Sequence, residues 1–276
     1  MSLDLKGKVV VITGAGGVIC STLAKSLAES GAKIALLDLN FDAAKVVADD
    51  IEKNGGVAKA YKVNVLDKAS LESAHESVKK ELGDCDILIN GAGGNNPKAT
   101  TDMEYYLAHD DDLKDFFALE GEGVKFVFDL NFIGTFLPTQ VFAKDMIGKK
   151  GCSILNISSM NAFTPLTKIP AYSGAKAAVS NFTAWLAVHF SKVGIRVNAI
   201  APGFFVTNQN RRLLFDENGK PTARTQKILA STPMDRFGEI DELVGATKFL
   251  LDEKAASFIT GIVLPIDGGF NAYSGV

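Results

Sequence analysis

Lys8-Val-Val-Val-Ile-Thr-Gly-Ala-Gly-Gly-Val-Ile-Cys-Ser-Thr-Leu-Ala-Lys-Ser-Leu-Ala-Glu-Ser-Gly-Ala-Lys-Ile-Ala-Leu-Leu-Asp38 is the stretch that decides the fold. Lys8 to Ile12 is a short run of β-branched residues, as a strand buried on both faces requires. Thr13 to Gly17 is a Gly-rich turn, and Ile19 to Ser30 reads as an amphipathic helix closed by Gly31. Lys33 to Leu37 is a second strand, ending at Asp38. Strand, turn, helix and strand in this order make the βαβ unit that accepts dinucleotides. Gly14, Gly16 and Gly17 let the backbone approach a pyrophosphate, whose charge meets the free amides where Val18 and Ile19 open the helix. The Asp38 carboxylate is placed to accept hydrogen bonds from the adenosine ribose hydroxyls. It would repel a 2′-phosphate, and no Arg or Lys stands at Gly17, Leu39 or Asn40 to welcome one. NAD is therefore expected as the cofactor, not NADP.

The alternation continues outward from this unit. Ala43–Asn54 suits a helix, Ala58–Val63 a strand leading to Asn64 and Val65, and Lys68–Leu82 a helix. Ile87–Ile89 is a buried strand opening onto Asn90-Gly91-Ala92-Gly93. Helical periodicity runs from Asp129 to Lys144, with Asn131 near its start, and again from Ala175 to Phe190. Ser153–Ile157, Ile195–Ala199 and Ile262–Pro265 complete the strands. The pattern predicts an α/β fold: a Rossmann-type, doubly wound parallel sheet with helices on both faces. Ligands bind beyond the carboxyl ends of such strands, which lines up Asp38, Asn64, Asn90, Ser159 and Pro202 along one edge.

Composition narrows the class. The 276 residues can bury a large core, and no linker, repeat or low-complexity tract divides them, so a single domain over residues 1–276 is expected. A net charge of −3 without a basic cluster argues against a nucleic-acid partner. The three cysteines (Cys20, Cys85, Cys152) lack paired spacing and suggest reduced, buried thiols. With no signal-like start and no eighteen-residue apolar run, a soluble cytoplasmic protein without a membrane partner is expected. His75, His109 and His189 are scattered, so no catalytic metal is expected. No Gly-x-Ser-x-Gly elbow supports a hydrolase.

Chemistry gathers around Ser159-Met-Asn-Ala-Phe-Thr-Pro-Leu-Thr-Lys-Ile-Pro-Ala-Tyr172-Ser-Gly-Ala-Lys176. Tyr172 and Lys176, four apart, share a helix face. An ammonium beside a phenol favours the phenolate, which would let Tyr172 exchange a proton near neutral pH. Ser159, just past a strand, can bring a hydroxyl to the same spot.

These features together resemble the short-chain dehydrogenase/reductase family over essentially the whole chain. The matching residues are Thr13-Gly14 with its turn, Asp38, Asn90 to Gly93, Asn131, Ser159, Tyr172 with Lys176, Pro202-Gly203 with Thr207, and Asp267-Gly-Gly269. Two departures stand out. Val18 and Cys20 replace two of the family's three turn glycines, and Gly91 replaces the second Asn of Asn-Asn-Ala-Gly. The resemblance implies that Tyr172 is the general acid in reduction and the base in oxidation. It implies that Lys176 biases that proton and meets the nicotinamide ribose, that Ser159 (rather than Ser158) holds the substrate oxygen, and that Asn131 anchors a relay water. Thr13, Asn90, Gly91 and Ala92 would run beside the cofactor, and Pro202, Gly203, Phe205 and Thr207 would cover the nicotinamide. Pairing through the helices that carry Asn131 and Tyr172 is also implied, giving a homotetramer or at least a dimer.

The substrate end is read from an insertion at about 94–128 and a lid at about 204–232. Asn95, Lys98 and Asn161, with Arg211 of Asn208-Gln-Asn-Arg211-Arg212, would suit a polyhydroxylated carboxylate substrate. The stretches Gly93–Thr101, Ser159–Leu166 and Asn271–Val276 most resemble the short-chain fructuronate reductases (D-mannonate oxidoreductases), which implies reduction of D-fructuronate to D-mannonate with NADH. Another sugar-acid or polyol dehydrogenase, such as a gluconate 5-dehydrogenase, and a non-catalytic NAD-binding sensor are the alternatives.

Overall fold

A computed structural model describes residues 3–108, 110–207 and 211–275. Seven parallel strands form one sheet in the order β3-β2-β1-β4-β5-β6-β7. They are β1 (Val9–Thr13), β2 (Lys33–Asp38), β3 (Val57–Lys62), β4 (Ile87–Asn90), β5 (Cys152–Ile157), β6 (Ile195–Pro202) and β7 (Val263–Ile266). The order reverses between β1 and β4, which pair in parallel with Val10 opposite Ile87. That reversal opens a crevice at the carboxyl edge, where such sheets bind ligands. The expected doubly wound parallel sheet is what the chain forms.

Strand alternation divides the core in two. Val10, Ile12, Ile34, Leu36 and Ile89 face one way, onto α1 (Val18–Glu29) and α2 (Phe41–Lys53). Val9, Val11, Ala35, Leu37 and Leu88 face the other way, onto α3 (Lys68–Glu81) and the helices that follow. Because successive side chains point to opposite faces, one apolar strand sequence feeds both layers.

The run from Gly121 to Met146 departs from its sequence reading. Helix α4 (Gly121–Phe128) begins eight residues before Asp129, passes through a widened π turn (Asp129–Ile133), and continues as α5 (Gly134–Phe142). Asn131 therefore lies mid-run, where the Gly134 amide reaches back to the Asp129 carbonyl. The expected start was misplaced because Gly121 and Gly123, poor helix formers, hide it. By length and composition this run could cross a bilayer, but half of its apolar window is buried inside the protein.

A buried polar ladder ties this helix to the sheet. Thr135 Oγ1 donates to the Asn131 carbonyl (2.8 Å), and Thr139 Oγ1 to the Thr135 carbonyl (2.8 Å). Asn90 Nδ2 donates to Thr139 Oγ1 (3.0 Å) and to Asn156 Oδ1 (2.9 Å). Asn156 Nδ2 reaches Thr183 Oγ1 (2.9 Å) on α6 (Pro170–Phe190). Asn156→Ala should lower unfolding stability by about 1–3 kcal/mol, because it strands one buried amide donor of Asn90. Urea unfolding at fixed protein concentration measures this, and a loss near zero would show that the ladder is not holding the layers together.

Candidate active site

The carboxyl ends of β1, β2 and β4 open onto a cleft of about 380 Å³. Of the residues expected at a cofactor, Gly14, Gly16, Gly17, Asp38, Leu39, Asn64, Val65, Gly91 and Ala92 line it. Asn40 lines it too, and so do Ala43, Val63 and Leu130, which were missed because apolar walls carry no motif. Two glycines are sterically required. Gly14 has φ +66°, and a Cβ there would lie 2.8 Å from the Ala92 backbone. A Cβ on Gly16 would come within 2.7 Å of the Ala43 Cβ. Asp38 accepts the Gly16 amide through Oδ2 (2.9 Å) and the Asn40 amide through Oδ1 (2.8 Å), so one carboxylate fixes the turn and faces the cleft. A dinucleotide fits this set: the uncapped start of α1 at Val18 and Ile19 for its phosphates and Asp38 for its ribose hydroxyls.

Other residues expected at the cofactor do not line that cleft. Thr13 is fully buried, its Oγ1 accepting the amides of Gly91 (3.1 Å) and Ala92 (3.3 Å), so it ties β1 to β4 from behind the cleft. The Asn90 side chain turns into the buried ladder, away from the cleft. Val18 and Ile19 are half-buried at the start of α1. Pro202 is buried as the last residue of β6, and the Gly203 amide donates to the Ile266 carbonyl (2.9 Å). Phe205 packs on Gly238 and lines a different cleft, of about 410 Å³, at the ends of β6 and β7. Its aromatic ring serves packing there, which sequence alone could not separate from cofactor contact. The Thr207 carbonyl accepts the Arg211 amide (3.0 Å).

The expected catalytic residues converge. Ser159 caps the short turn Met160–Ala162, with Oγ accepting the Asn161 amide (3.3 Å), and its hydroxyl is near enough to the Tyr172 phenol to act on its proton. Pro170, pre-set for a first helical position, starts α6 so that Tyr172 falls in its opening turn. Lys176 follows one turn later, buried, with Nζ donating to the Ile157 carbonyl (2.8 Å) and lying 5.7 Å from the Tyr172 ring centroid. A Cβ on Gly93 would lie 2.7 Å from Asn131 Oδ1 and 3.1 Å from Lys176 Nζ, so three segments meet at that glycine. Asn131 Nδ2 donates to the carbonyls of Gly94 and Val127 (both 2.7 Å), while Oδ1 accepts the Gly94 amide (3.2 Å). Ser158 is spent on structure, bonded to Ser180 Oγ (2.7 Å) and to the Lys176 carbonyl (3.2 Å).

Electrostatics correct one expectation. Burial pushes the Lys176 ammonium down to about 8. Burial pushes the Tyr172 phenol up, only partly opposed by the nearby Ser159 hydroxyl. The phenol is thus held in its protonated form, because desolvation outweighs that hydroxyl.

Of the four residues expected at a substrate, only Asn161, buried beside Ser159, joins the cluster. Asn95 is exposed and bonds Thr100 Oγ1 (2.9 Å). Lys98 is exposed and paired with Glu120 (2.8 Å), which fastens the loop to α4. Arg211 stacks over Phe215, 5.6 Å from its centroid. Asn208, Gln209, Asn210 and His109 lie outside the described residues. Among the described residues, no three of His, Cys, Asp and Glu gather to hold a metal. His75 pairs with Asp145 (2.8 Å), and His189 stacks on Trp185 (4.7 Å).

The two departures from the family pattern prove to be one. A Cβ on Gly91 would fall 2.1 Å from Cys20 Sγ, so the larger residue in the turn helix occupies space that the smaller residue at β4 leaves. Cys20 is buried, which pushes its thiol up to about 12 and leaves it neutral packing.

The fold and site define an oxidoreductase acting on CH–OH groups. A short chain dehydrogenase model matches residues 8–218, and the chain belongs to that family. It is 64% identical over 277 residues to an uncharacterized oxidoreductase of Haemophilus influenzae, covering 99% of this chain and 96% of that one. A crystal structure from Haemophilus influenzae with bound NAD, provisionally named a D-mannonate oxidoreductase, superposes with a TM-score of 0.97 at 64% identity, covering 99% and 98% of the two chains. A gluconate 5-dehydrogenase of Burkholderia cenocepacia, solved with NADP and tartrate, matches at a TM-score of 0.84 and 30% identity, covering 98% of each.

Gly91→Ala should destabilise the protein by about 1–3 kcal/mol through overpacking. Adding Cys20→Gly should recover part of that loss, the rest remaining because the new Cβ still lies 2.9 Å from the Thr13 carbonyl. Additive losses in the double-mutant cycle would refute the coupling. A second expectation concerns Lys176, whose folded value lies below the ordinary 10.5. Between about pH 8 and 10.5 the unfolded chain holds the extra proton, so stability rises with pH across that window. Relative to Lys176→Met, the parent should gain on the order of 3 kcal/mol there; a pH-independent difference would mean that the ammonium is not desolvated.

Proposed function

We propose that the protein is an NAD(H)-dependent reductase of a keto sugar acid, with D-fructuronate reduced to D-mannonate as the reaction. The observation that carries this is the convergence of the Ser159 hydroxyl, the Tyr172 phenol and the buried Lys176 at the carboxyl edge of the sheet. The likeness to the NAD-bound Haemophilus structure supports the substrate class. Asp38, held on Gly16 and Asn40, supports NAD over NADP, since its charge repels a 2′-phosphate.

NADH, when bound, supplies the hydride. Ser159 donates a hydrogen bond to the ketone oxygen and stabilises the charge that grows on it. Tyr172, kept protonated by burial, hands its proton to that oxygen as the alcohol forms, which suits the reductive direction. Lys176 remains largely an ammonium at neutral pH, favouring loss of that phenolic proton. Asn131 fixes the Gly93–Gly94 backbone that borders both groups. Trp185 and Val188 are exposed on α6, an apolar face that suits pairing into a homotetramer.

Mixing the protein with NADH and D-fructuronate should consume NADH absorbance, and Tyr172→Phe should reduce the rate by about 100-fold or more. Asp38→Ala should narrow the preference for NADH over NADPH. Tight NADH binding without turnover across a panel of keto sugar acids would instead indicate a cofactor-binding sensor.

A further inference from the structure

A third cleft, of about 270 Å³, flanks the turn that carries Ser159. Thr164 and Leu166 form one wall, and Phe204 and Phe270 another, while the rim carries Arg224, Lys227 and Glu104. The wall belongs to the Ser159 segment: the Thr164 amide donates to the carbonyl of Met160, the next residue after Ser159 (3.0 Å). Phe204 follows Pro202 and Gly203 at the end of β6. The cleft therefore adjoins the same sheet edge as the phenol and hydroxyl. Its volume lies below the range usual for drug-sized ligands and suits a small one.

The rim charges form a pattern. Arg224 and Lys227 lie three apart on α8 (Ala223–Ala230), on one face. Lys227 Nζ reaches both oxygens of Glu104 (2.9 and 2.8 Å), a carboxylate 123 residues away in the insertion. Lys227 above all, with Lys168 and Arg224 behind it, holds the Glu104 carboxyl below its usual range. Thus three cations from two segments surround one carboxylate, leaving excess positive charge beside aromatic walls. The insertion is also tied to the Lys168 segment, where the Thr101 amide donates to the Lys168 carbonyl (2.8 Å). A pair this exposed is held weakly, because water competes for both partners. Another carboxylate can take the place of Glu104.

We infer that Arg224 and Lys227 form the carboxylate subsite for the sugar acid, and that Glu104 occupies it until substrate displaces it. This rests on the sugar-acid reading above and reassigns the recognising cations from Lys98 and Arg211, neither of which lines this cleft, to Arg224 and Lys227, which do. Glu104 would then be a specificity device. An uncharged polyol gains nothing by displacing it, whereas an acid replaces one charge pair with another.

The test uses the full-length enzyme in two assays. In steady-state kinetics, Arg224→Ala with Lys227→Ala should raise KM for the keto sugar acid about tenfold, with kcat nearly unchanged. Glu104→Gln should lower that KM several-fold. Oxidation of the matching alditol should be indifferent to either change. In calorimetric titration with tartrate as the anion probe, Glu104→Gln should bind more tightly than the parent, and the double variant about tenfold more weakly. If Glu104→Gln instead raises KM for acid and alditol alike, the pair is only a strap between insertion and lid, and the inference fails. If no sugar acid turns over, the functional reading fails while the tartrate titration still decides the subsite: equal affinity in all three proteins overturns it. All three side chains are exposed, so these variants should fold; circular dichroism checks this.

Discussion

A buried ammonium ion has to stay charged where charge is disfavoured. Lys176 is 4% exposed, and burial lowers its proton affinity by enough to matter near neutral pH. What retains the proton is a carbonyl, that of Ile157, at 2.8 Å. Ile157 closes β5, so the position of Lys176 is set by the sheet rather than by helix α6 alone. The same strand end leads into Ser158, which anchors the helix, and Ser159, which faces the phenol. Sheet, helix and reactive groups are thus registered by one hydrogen bond and its neighbours.

The widened turn at Asp129–Ile133 serves the same centre from the other side. A regular helix could bring an Asn near Gly93, but here one side chain must reach three backbone groups, on Gly94 twice and on Val127. Such turns are energetically poor and persist where the surroundings compel them. The Thr135–Thr139–Asn90–Asn156–Thr183 ladder supplies that compulsion, since it fastens the helix after the turn to both β4 and α6. Asn90, the residue before Gly91 of the 380 Å³ cleft, contributes its side chain to this framework.

The sheet was legible in the sequence because parallel strands buried on both faces read as short, nearly continuous apolar runs. Val9 to Ile12 and Lys33 to Leu37 could scarcely be anything else beside a Gly-rich turn. Ser159, Tyr172 and Lys176 were legible because their spacing is local: a strand end, a turn and one helical turn. The start of α4 was not legible, because glycines mask it. The surroundings of the expected substrate cations were not legible for a different reason. Lys98 and Arg211 stand close in sequence to cleft residues, yet in space Lys98 pairs with Glu120 and Arg211 lies over the Phe215 ring. Glu104 and Lys227 are 123 residues apart, and no periodicity announces such a pair.

The Cys20–Gly91 contact carries this further. Read singly, a cysteine in a glycine position signals a crowded turn, and a glycine in an asparagine position signals a lost polar group. In space the thiol fills what the missing side chain leaves. Interiors are close-packed, so a gain of volume at one element must be met by a loss at the element it touches. Gly14 and Gly16, where any side chain would collide, are kept. Which glycines can be exchanged is decided by the partner across the gap: for Gly14 it is the Ala92 backbone, which cannot move aside, and for Cys20 it was another side chain, which could.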